Sequence, residues 1–333
     1  MNGKIPGKAY HGGTSRRIQE IRGSPVLDFS ASLNPWPPHL HPDLSWDHLT
    51  RYPDDSYAAL REVIARRFGR SPEEVAIGNG SIELIRVFCQ VTLRPGDVAE
   101  ITSPTFGEYE LSALLAGARV GGAGKSPRVK FLCNPNNPTG ALRNRENLAS
   151  VLDRCRERGT VLFLDEAFIE LSDDPSSSLS GLRDPNLFVL RSLTKCFAVP
   201  GIRFGYGFGD PDLVARMEVA RPPWSVNAFA EQVALEAFRQ FDGLERSREE
   251  IMREREWLCT RLQEFPVSIT PSQANFLLLT FRTDVSPLCR DLLDQGILVR
   301  DCHSFGLPCS IRIAVRTREE NNQCIEALRA CLR

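Results

Sequence analysis

The sequence lacks any marked excess of one charge, because its 333 residues carry a formal net charge of -1 with both signs interspersed. No basic face and no polybasic run is present, which argues against nucleic acid or an anionic membrane surface as a partner. The N-terminal stretch MNGKIPGKAYHGG contains no apolar run, so neither a signal peptide nor a transmembrane span is indicated. We therefore expect a cytoplasmic protein.

Signatures of metal sites and disulfide frameworks are also missing. The ten cysteines form no CxxC pair and several lie in apolar runs, so we expect reduced, mostly buried thiols. The five histidines show neither HExxH nor paired spacing, which predicts no metal site. The GAGKS segment at 122–126 fails as a P-loop, because Arg119 stands where the first glycine is required and Pro127 follows. It is predicted to be a loop.

What the sequence contains is an alternation of short apolar strands and helical patterns. Strands are predicted at 26–30, 75–77, 98–102, 119–122, 129–133, 160–164 and 187–190, with helical patterns after most of them. This alternation predicts an α/β fold with a largely parallel sheet between helices.

After Tyr206 the pattern changes. Strands are predicted at 268–280, 297–300 and 311–315, and helices at 229–241, 247–265, 286–295 and 318–333. These elements predict a smaller α+β domain that packs with the N-terminal segment. We therefore expect an N-terminal segment at 1–45, a large domain at 46–228 and a small domain at 229–333.

Five polar or glycine-rich clusters follow predicted strands, at 78–81, 104–106, 134–140, 165 and 192–195. Taken singly, each has a plain structural alternative: a tight turn, a helix cap, a double turn or a solvated lysine. Parallel strands, however, bring such clusters to one edge of a sheet, where ligands bind. Hydroxyls, one lysine and an arginine (Lys195 and Arg203) suit a phosphorylated aldehyde, because the amine can form a Schiff base with the carbonyl.

The segments GNGS, PTFGEY, NPNNPTG, LDEAF, SLTKCFAVPGIRFGY and IRIAV, in this order, resemble the pyridoxal-phosphate enzymes of the aspartate aminotransferase fold, fold type I. The resemblance covers nearly the whole chain. It implies pyridoxal 5'-phosphate as cofactor and a mostly parallel seven-stranded sheet. Two families within this fold compete, the histidinol-phosphate aminotransferases and the threonine-phosphate decarboxylases of cobalamin synthesis. HGG at 11–13, DFSASLNP, RYPD, DEAFI and PPWSVNA are more similar to the decarboxylases.

The resemblance also implies a role for each matched residue. Lys195 would bind the cofactor covalently, Asp165 would hold its ring nitrogen, Asn137 its ring hydroxyl and Phe106 its ring face. The residues implied for the cofactor phosphate are Gly80, Ser81, Ser192, Thr194 and Arg203, with Tyr52 from the neighbouring subunit of a homodimer. Those implied for the substrate are His11, Gly12, Asn34, Arg300 and Arg312, with Arg312 on the carboxylate.

Two features depart from the aminotransferase pattern. Aminotransferases of this group usually carry tyrosine where Phe168 stands, three residues after Asp165, which argues against transamination. The connection between Val120 and Val129 is shorter than the dozen residues that a parallel crossover normally needs, so a helix is expected to be missing there.

Three functions are compatible with these residues. Decarboxylation of L-threonine O-3-phosphate to (R)-1-amino-2-propanol phosphate is favoured. Transamination of histidinol phosphate or an aromatic amino acid comes second. A non-enzymatic regulator that binds the cofactor comes third, because the chain has no spare length for a DNA-binding module.

Overall fold

The computed structural model describes Gly7, Ala9, residues 12–13, 15–121 and 126–332. The helices of this part are α1 (Ser15–Arg22), α2 (Ala58–Phe68), α3 (Ser81–Thr92), α4 (Glu108–Leu115), α5 (Arg145–Glu157), α6 (Leu193–Cys196), α7 (Pro211–Ala220), α8 (Ala228–Arg239), α9 (Leu244–Leu262), α10 (Ser286–Asp294) and α11 (Arg318–Cys331). The strands are β1 (Leu27–Asp28), β2 (Val75–Gly78), β3 (Val98–Ile101), β4 (Arg119–Val120), β5 (Val129–Cys133), β6 (Val161–Asp165), β7 (Leu187–Arg191), β8 (Gly205–Phe208), β9 (Ser268–Ile269), β10 (Phe276–Thr280), β11 (Ile297–Leu298), β12 (Arg300–Asp301) and β13 (Ser310–Ala314).

A seven-stranded sheet forms the centre of the molecule, with the strand order β2-β8-β7-β6-β5-β3-β4. Every neighbouring pair is parallel except the two that involve β8. The predicted α/β fold with a mostly parallel sheet is therefore confirmed. The carboxyl ends of β5, β6 and β7 lie side by side, which brings the segments that follow them to one edge.

Helices cover both faces of this sheet. Side chains of β6 alternate between the two cores, with Leu162 and Leu164 on one side and Phe163 on the other. The first core is completed by α2, α5, α8 and α9, and the second by α3, α4 and α7. All five residues of β6 are buried, which explains its continuous apolar sequence.

Strand β8 is an element that the sequence did not predict. Its sequence, GYGF, has two glycines, and glycine weakens a strand unless another group approaches closely. Other groups do approach both glycines closely. A Cβ at Gly205 would lie 2.5 Å from the backbone nitrogen of Ser81, and one at Gly207 would lie 2.6 Å from the ring of Phe188. The glycines let β8 fit against the start of α3 and the core.

The C-terminal part forms a second, antiparallel sheet with the order β12-β13-β10-β9. Two predictions are corrected here. The single strand predicted at 268–280 is a pair, β9 and β10, because the chain turns back on itself between them. The strand predicted at 297–300 divides at Val299 into β11 and β12, which belong to different sheets. The predicted domain boundaries stay a prediction.

The N-terminal segment joins this C-terminal part. Strand β1 pairs in parallel with β11, and the backbone N–H of Ala314 donates to the carbonyl of Phe29. The two ends of the chain therefore meet beside the carboxyl edge of the large sheet.

The short connection between β4 and β5 contains no helix in its described residues, 121 and 126–128. The predicted GAGKS loop lies mostly outside the described residues. In the sheet, β3 lies between β4 and β5, the two strands that this connection joins. None of the described helices combines the length and apolar character that crossing a bilayer requires.

Candidate active site

A cavity of about 840 Å³ opens at the carboxyl edge of the large sheet, between that sheet, the small sheet and the N-terminal segment. Most of the residues that the sequence predicted for the site lie in its wall. They are Gly12, Ser81, Phe106, Asn137, Asp165, Ser192, Thr194, Lys195, Arg203, Arg300 and Arg312. Residues far apart in the sequence are thus brought to one chamber, whose size suits a cofactor together with a small substrate.

Four predicted residues are placed differently. Gly80 lies next to the wall, as the residue preceding α3. Tyr52 is 81% exposed and is not a wall residue, so its predicted role depends on a second subunit. Asn34 is buried and donates to the carbonyl of Cys196, so it holds the Lys195 segment and does not face the cavity. His11 lies outside the described residues.

The residues predicted for a phosphate form a cradle at the start of α3. Helix α3 places the free N–H groups of its first turn at the cavity, where an anion is favoured. The hydroxyls of Ser192 and Thr194 lie 2.9 Å apart in the same wall. A Cβ at Gly80, whose φ is +78°, would lie 2.4 Å from Nη2 of Arg203. Only glycine at this position allows the guanidinium to reach the helix start.

Substitution of Gly80 by alanine is therefore expected to weaken cofactor binding by about 10- to 100-fold, the equivalent of one charge-assisted hydrogen bond. The added methyl group would displace Arg203. Titration of the cofactor-free protein, followed by absorbance, measures the dissociation constant. Gly159→Ala is the matched control, because Gly159 also has a positive φ but has open space around its Cα. Equal affinities for the two variants would contradict the assignment of the cradle.

Lys195 follows β7 and is placed by α6, with its Nζ 6.0 Å from the ring centre of Phe168. Burial in the wall, together with the positive charges of Arg312 and Arg203, lowers the pKa of Lys195 to about 8. An amine with a depressed pKa is present in part as the neutral nucleophile near neutral pH. Lys195 is therefore suited to attack a carbonyl carbon.

The rate at which the cofactor-free protein reacts with pyridoxal is expected to rise about tenfold per pH unit and to level off above pH about 8. Only the neutral amine attacks, and its fraction increases until the pH passes the pKa of Lys195. Stopped-flow absorbance measures the rate, and pyridoxal lacks the phosphate whose own ionisation would complicate the profile. A plateau that begins only at the pKa of an ordinary lysine would contradict the described environment.

Asp165 ends β6 and is buried. Its Oδ2 accepts the hydroxyl of Tyr109 at 2.6 Å, and its Oδ1 accepts the backbone N–H of Ala167 at 2.9 Å. Burial raises the pKa of Asp165, while these two hydrogen bonds act in the opposite direction. A buried carboxylate at a strand end can hold a cationic ring nitrogen, for which a charge-assisted bond is strong.

Asn137 is held by Arg312, whose Nη1 donates to Oδ1 of the amide. Because a guanidinium has donors only, the contacted atom must be the amide oxygen, which leaves the amide nitrogen as a donor for another group. This orientation suits the predicted bond from Asn137 to a ring oxygen. The residues of the wall therefore fit pyridoxal phosphate at its phosphate, ring nitrogen, ring oxygen and carbonyl carbon.

Two arginines face each other on the small sheet. Arg300 of β12 and Arg312 of β13 are direct partners across an antiparallel pair, so their side chains share one face. Both are buried, and both line the cavity. Nη2 of Arg312 donates to the carbonyl of Ser30 at 2.8 Å, while its Nε is buried without a partner among the described residues.

Sequence reasoning missed Asp28 and Ser30, which also line the cavity. Ser30 connects three segments: its hydroxyl donates to Asp28 and accepts the N–H of Gly13, and its carbonyl accepts Arg312. A Cβ at Gly12 would lie 2.7 Å from that carbonyl, so glycine is required for this approach. The DFSASLNP motif could have indicated these residues, but nothing in it showed which side chains face the cavity.

Comparison with known proteins identifies the family. The family described as aminotransferase class I and II matches residues 41–121 and 122–328. The chain belongs to this family. A histidinol-phosphate aminotransferase of Symbiobacterium thermophilum is 34% identical over 298 residues, which are 84% of this chain and 82% of that protein. A protein of Caldanaerobacter subterraneus subsp. tengcongensis, provisionally named threonine-phosphate decarboxylase, is 35% identical over 330 residues, 90% of this chain and 88% of that protein.

Solved structures agree with this membership. The histidinol-phosphate aminotransferase from Clostridium acetobutylicum has a TM-score of 0.80 at 28% identity, with 92% of this chain and 98% of that chain covered. The predicted resemblance to fold type I is thereby confirmed. This member of the aminotransferase class I and II family is a pyridoxal-phosphate enzyme, so the predicted cofactor is confirmed as well.

Proposed function

We propose that this enzyme decarboxylates L-threonine O-3-phosphate to (R)-1-amino-2-propanol phosphate. The observation that carries the proposal is the pair of buried arginines, Arg300 and Arg312, that share one face beside the cavity. In the decarboxylase family that the sequence resembles, this reaction serves cobalamin synthesis, and we extend the proposal to that pathway.

The chemistry of the arginine pair matches a substrate with two anions a few atoms apart. Guanidinium groups bind carboxylate and phosphate in a bidentate manner, and they do so most strongly when buried. Threonine phosphate carries its carboxylate and phosphate on neighbouring carbon atoms. Histidinol phosphate has no carboxylate and therefore gives Arg312 no anion to bind. A buried, unmatched guanidinium is unfavourable, which favours the doubly anionic substrate.

The residues of the chain have separate tasks in this reaction. When bound, the cofactor supplies an electron sink for the electron pair that the departing CO₂ leaves on Cα. Arg312 orients the carboxylate, and Arg300 holds the phosphate. Lys195, whose pKa is lowered to about 8, returns a proton to Cα. Phe168 is 6% exposed and packs edge-on against Phe276, so at position 168 the wall offers an apolar ring and no hydroxyl.

A second function, transamination of histidinol phosphate or an aromatic amino acid, is favoured by the 34% identity to a histidinol-phosphate aminotransferase. The same lysine and aspartate could perform it if the Cα–H bond, and not the carboxylate, were the bond that the wall orients for cleavage. The two functions therefore differ in which bond to Cα the wall orients for cleavage. Their products, CO₂ or glutamate, distinguish them.

The test incubates the purified holoenzyme with L-threonine O-3-phosphate and measures CO₂ release. A parallel sample receives histidinol phosphate with 2-oxoglutarate, and glutamate is measured. We expect CO₂ from the first sample and little glutamate from the second. Glutamate without CO₂ would overturn the proposal in favour of transamination.

We also propose that the enzyme is a homodimer in which Tyr52 reaches the neighbouring site. Tyr52 is 81% exposed and lies against Trp224, with ring centres 4.7 Å apart. Trp224 is itself 47% exposed, so the pair forms an apolar surface that a second subunit would cover. Sedimentation equilibrium measures the oligomeric state, and a monomer at micromolar concentration would contradict this assignment.

A further inference from the structure

Tyr109 lines the active-site cavity, and sequence reasoning assigned it no role. It lies on α4, is fully buried, and donates its hydroxyl to Oδ2 of Asp165 at 2.6 Å. Its ring stacks on Phe131, with centres 5.2 Å apart and planes at 13°, and it meets the ring of Phe106 edge-on. The aromatic packing alone would be served equally well by phenylalanine, so the hydroxyl needs a separate explanation.

Without the Tyr109 hydroxyl, the buried carboxylate of Asp165 would have one hydrogen-bond donor fewer. A buried hydroxyl is unfavourable unless it has a hydrogen-bond partner, and the partner of this hydroxyl is Asp165. Each oxygen of Asp165 receives one donor, from Tyr109 or from the backbone of Ala167. The neighbour of Asp165 on β5 is Cys133, and burial raises the pKa of that thiol to about 12. The thiol therefore stays neutral and places no second negative charge beside the carboxylate.

We propose that Tyr109 is a positioning residue that keeps Asp165 ionised and aimed into the cavity, and thereby keeps the ring nitrogen of the bound cofactor protonated. The inference rests on the cofactor and on the predicted role of Asp165, and it is independent of the substrate proposed above.

The physical reason lies in how a proton is shared in a site shielded from water. A carboxylate and a pyridine nitrogen can exist there as an ion pair or as a neutral pair. Hydrogen bonds to the carboxylate favour its ionised form, and burial favours its neutral form. Removal of the Tyr109 hydroxyl raises the pKa of Asp165, because burial is then opposed by the Ala167 N–H alone. The proton then shifts from the ring nitrogen towards the carboxylate, and the electron sink becomes weaker.

The test replaces Tyr109 with phenylalanine, which keeps the ring packing, and loads the protein with cofactor labelled with ¹⁵N in the ring. The ¹⁵N chemical shift reports directly whether the ring nitrogen is protonated, and it needs no substrate. We expect the variant to lose protonation at a lower pH than the unaltered enzyme. On whichever substrate the product assay selects, kcat should fall by about 10- to 100-fold with KM nearly unchanged.

Two further variants make the result decisive. Tyr206→Phe removes a hydroxyl from another fully buried tyrosine, 3.4 Å from Glu170, and should leave the ¹⁵N shift unchanged. Asp165→Asn should give the signal of an unprotonated ring nitrogen. The proposal is overturned if Tyr109→Phe retains the protonation profile of the unaltered enzyme, or if Asp165→Asn leaves the nitrogen protonated. Because no substrate is present, failure of the decarboxylase proposal leaves this measurement unaffected.

Discussion

Replacement of Lys195 by alanine is expected to abolish the visible absorbance of the lysine-bound cofactor and to lower turnover by at least about 10³-fold. The variant loses both the amine that binds the cofactor covalently and the group that we assign to proton return. Stability should not fall, since burial and two nearby arginines disfavour the charged form of this lysine. Absorbance, turnover and thermal unfolding together measure the three effects.

The matched control for this experiment is Lys130→Ala. Lys130 lies on β5, pairs with Glu100 and is not a wall residue of the cavity. Its removal should leave the absorbance and turnover unchanged. If the Lys195 variant kept its visible absorbance, the covalent site would have to be another lysine, and the assignment of the whole cavity would fail.

Substitution of Arg312 by glutamine is expected to lower kcat/KM for threonine phosphate by between about 10²-fold and several times 10³-fold, since removal of one partner of a buried charged pair costs about 3–5 kcal/mol. The guanidinium would no longer meet the substrate carboxylate, and Ser30 and Asn137 would lose their donor. Steady-state kinetics of CO₂ release measures the loss, while the cofactor absorbance reports whether the variant is folded and loaded.

Arg318→Gln provides the control for this variant. Arg318 is an arginine that pairs with Glu254 and covers the ring of Trp257, away from the cavity wall. Its loss should change kcat/KM by less than about threefold, as is usual for a residue outside the site. An Arg312 variant that is loaded with cofactor and as active as this control would refute the proposed carboxylate site.

The parallel sheet was predictable because its strands are short, apolar and separated by helical patterns. Strands β5, β6 and β7 were located within a residue or two. Strand β8 was not, because its glycines are explained only by the side chains that approach them, and such contacts are not visible in local sequence. Helix α7 carried a usable signal, since Asp210 caps its N-terminus and Pro211 is its first residue.

The small sheet was less predictable for a related reason. The stretch 297–300 is apolar enough for one strand, but β11 pairs with the N-terminal β1 while β12 pairs with β13. Tertiary partners therefore decide where the strand divides. Local pattern cannot report which distant segment a residue will meet.

Site residues were predictable where they belong to a sequence motif that carries the chemistry. They were unpredictable where their role depends on tertiary packing. Asp165 ends a strand and Lys195 comes shortly after one, and both are polar in an apolar context. Tyr109 is a buried residue of α4, and a buried tyrosine on a helix is normally a core residue. The misplacement of Asn34 has the same origin, because its motif showed its importance but not that its partner is a backbone carbonyl.

The pairing of the two ends of the chain has a consequence during synthesis on the ribosome. Ser30 is held by Arg312, which lies 282 positions later in the chain. At about 5–20 residues per second, the nascent N-terminal segment waits roughly 15–55 s for this contact. The large sheet is complete by Phe208, so the cofactor cradle matures first. A polypeptide released before Arg312 is synthesised is expected to retain affinity for vitamin B6 phosphate but to lack the guanidinium that binds the substrate carboxylate.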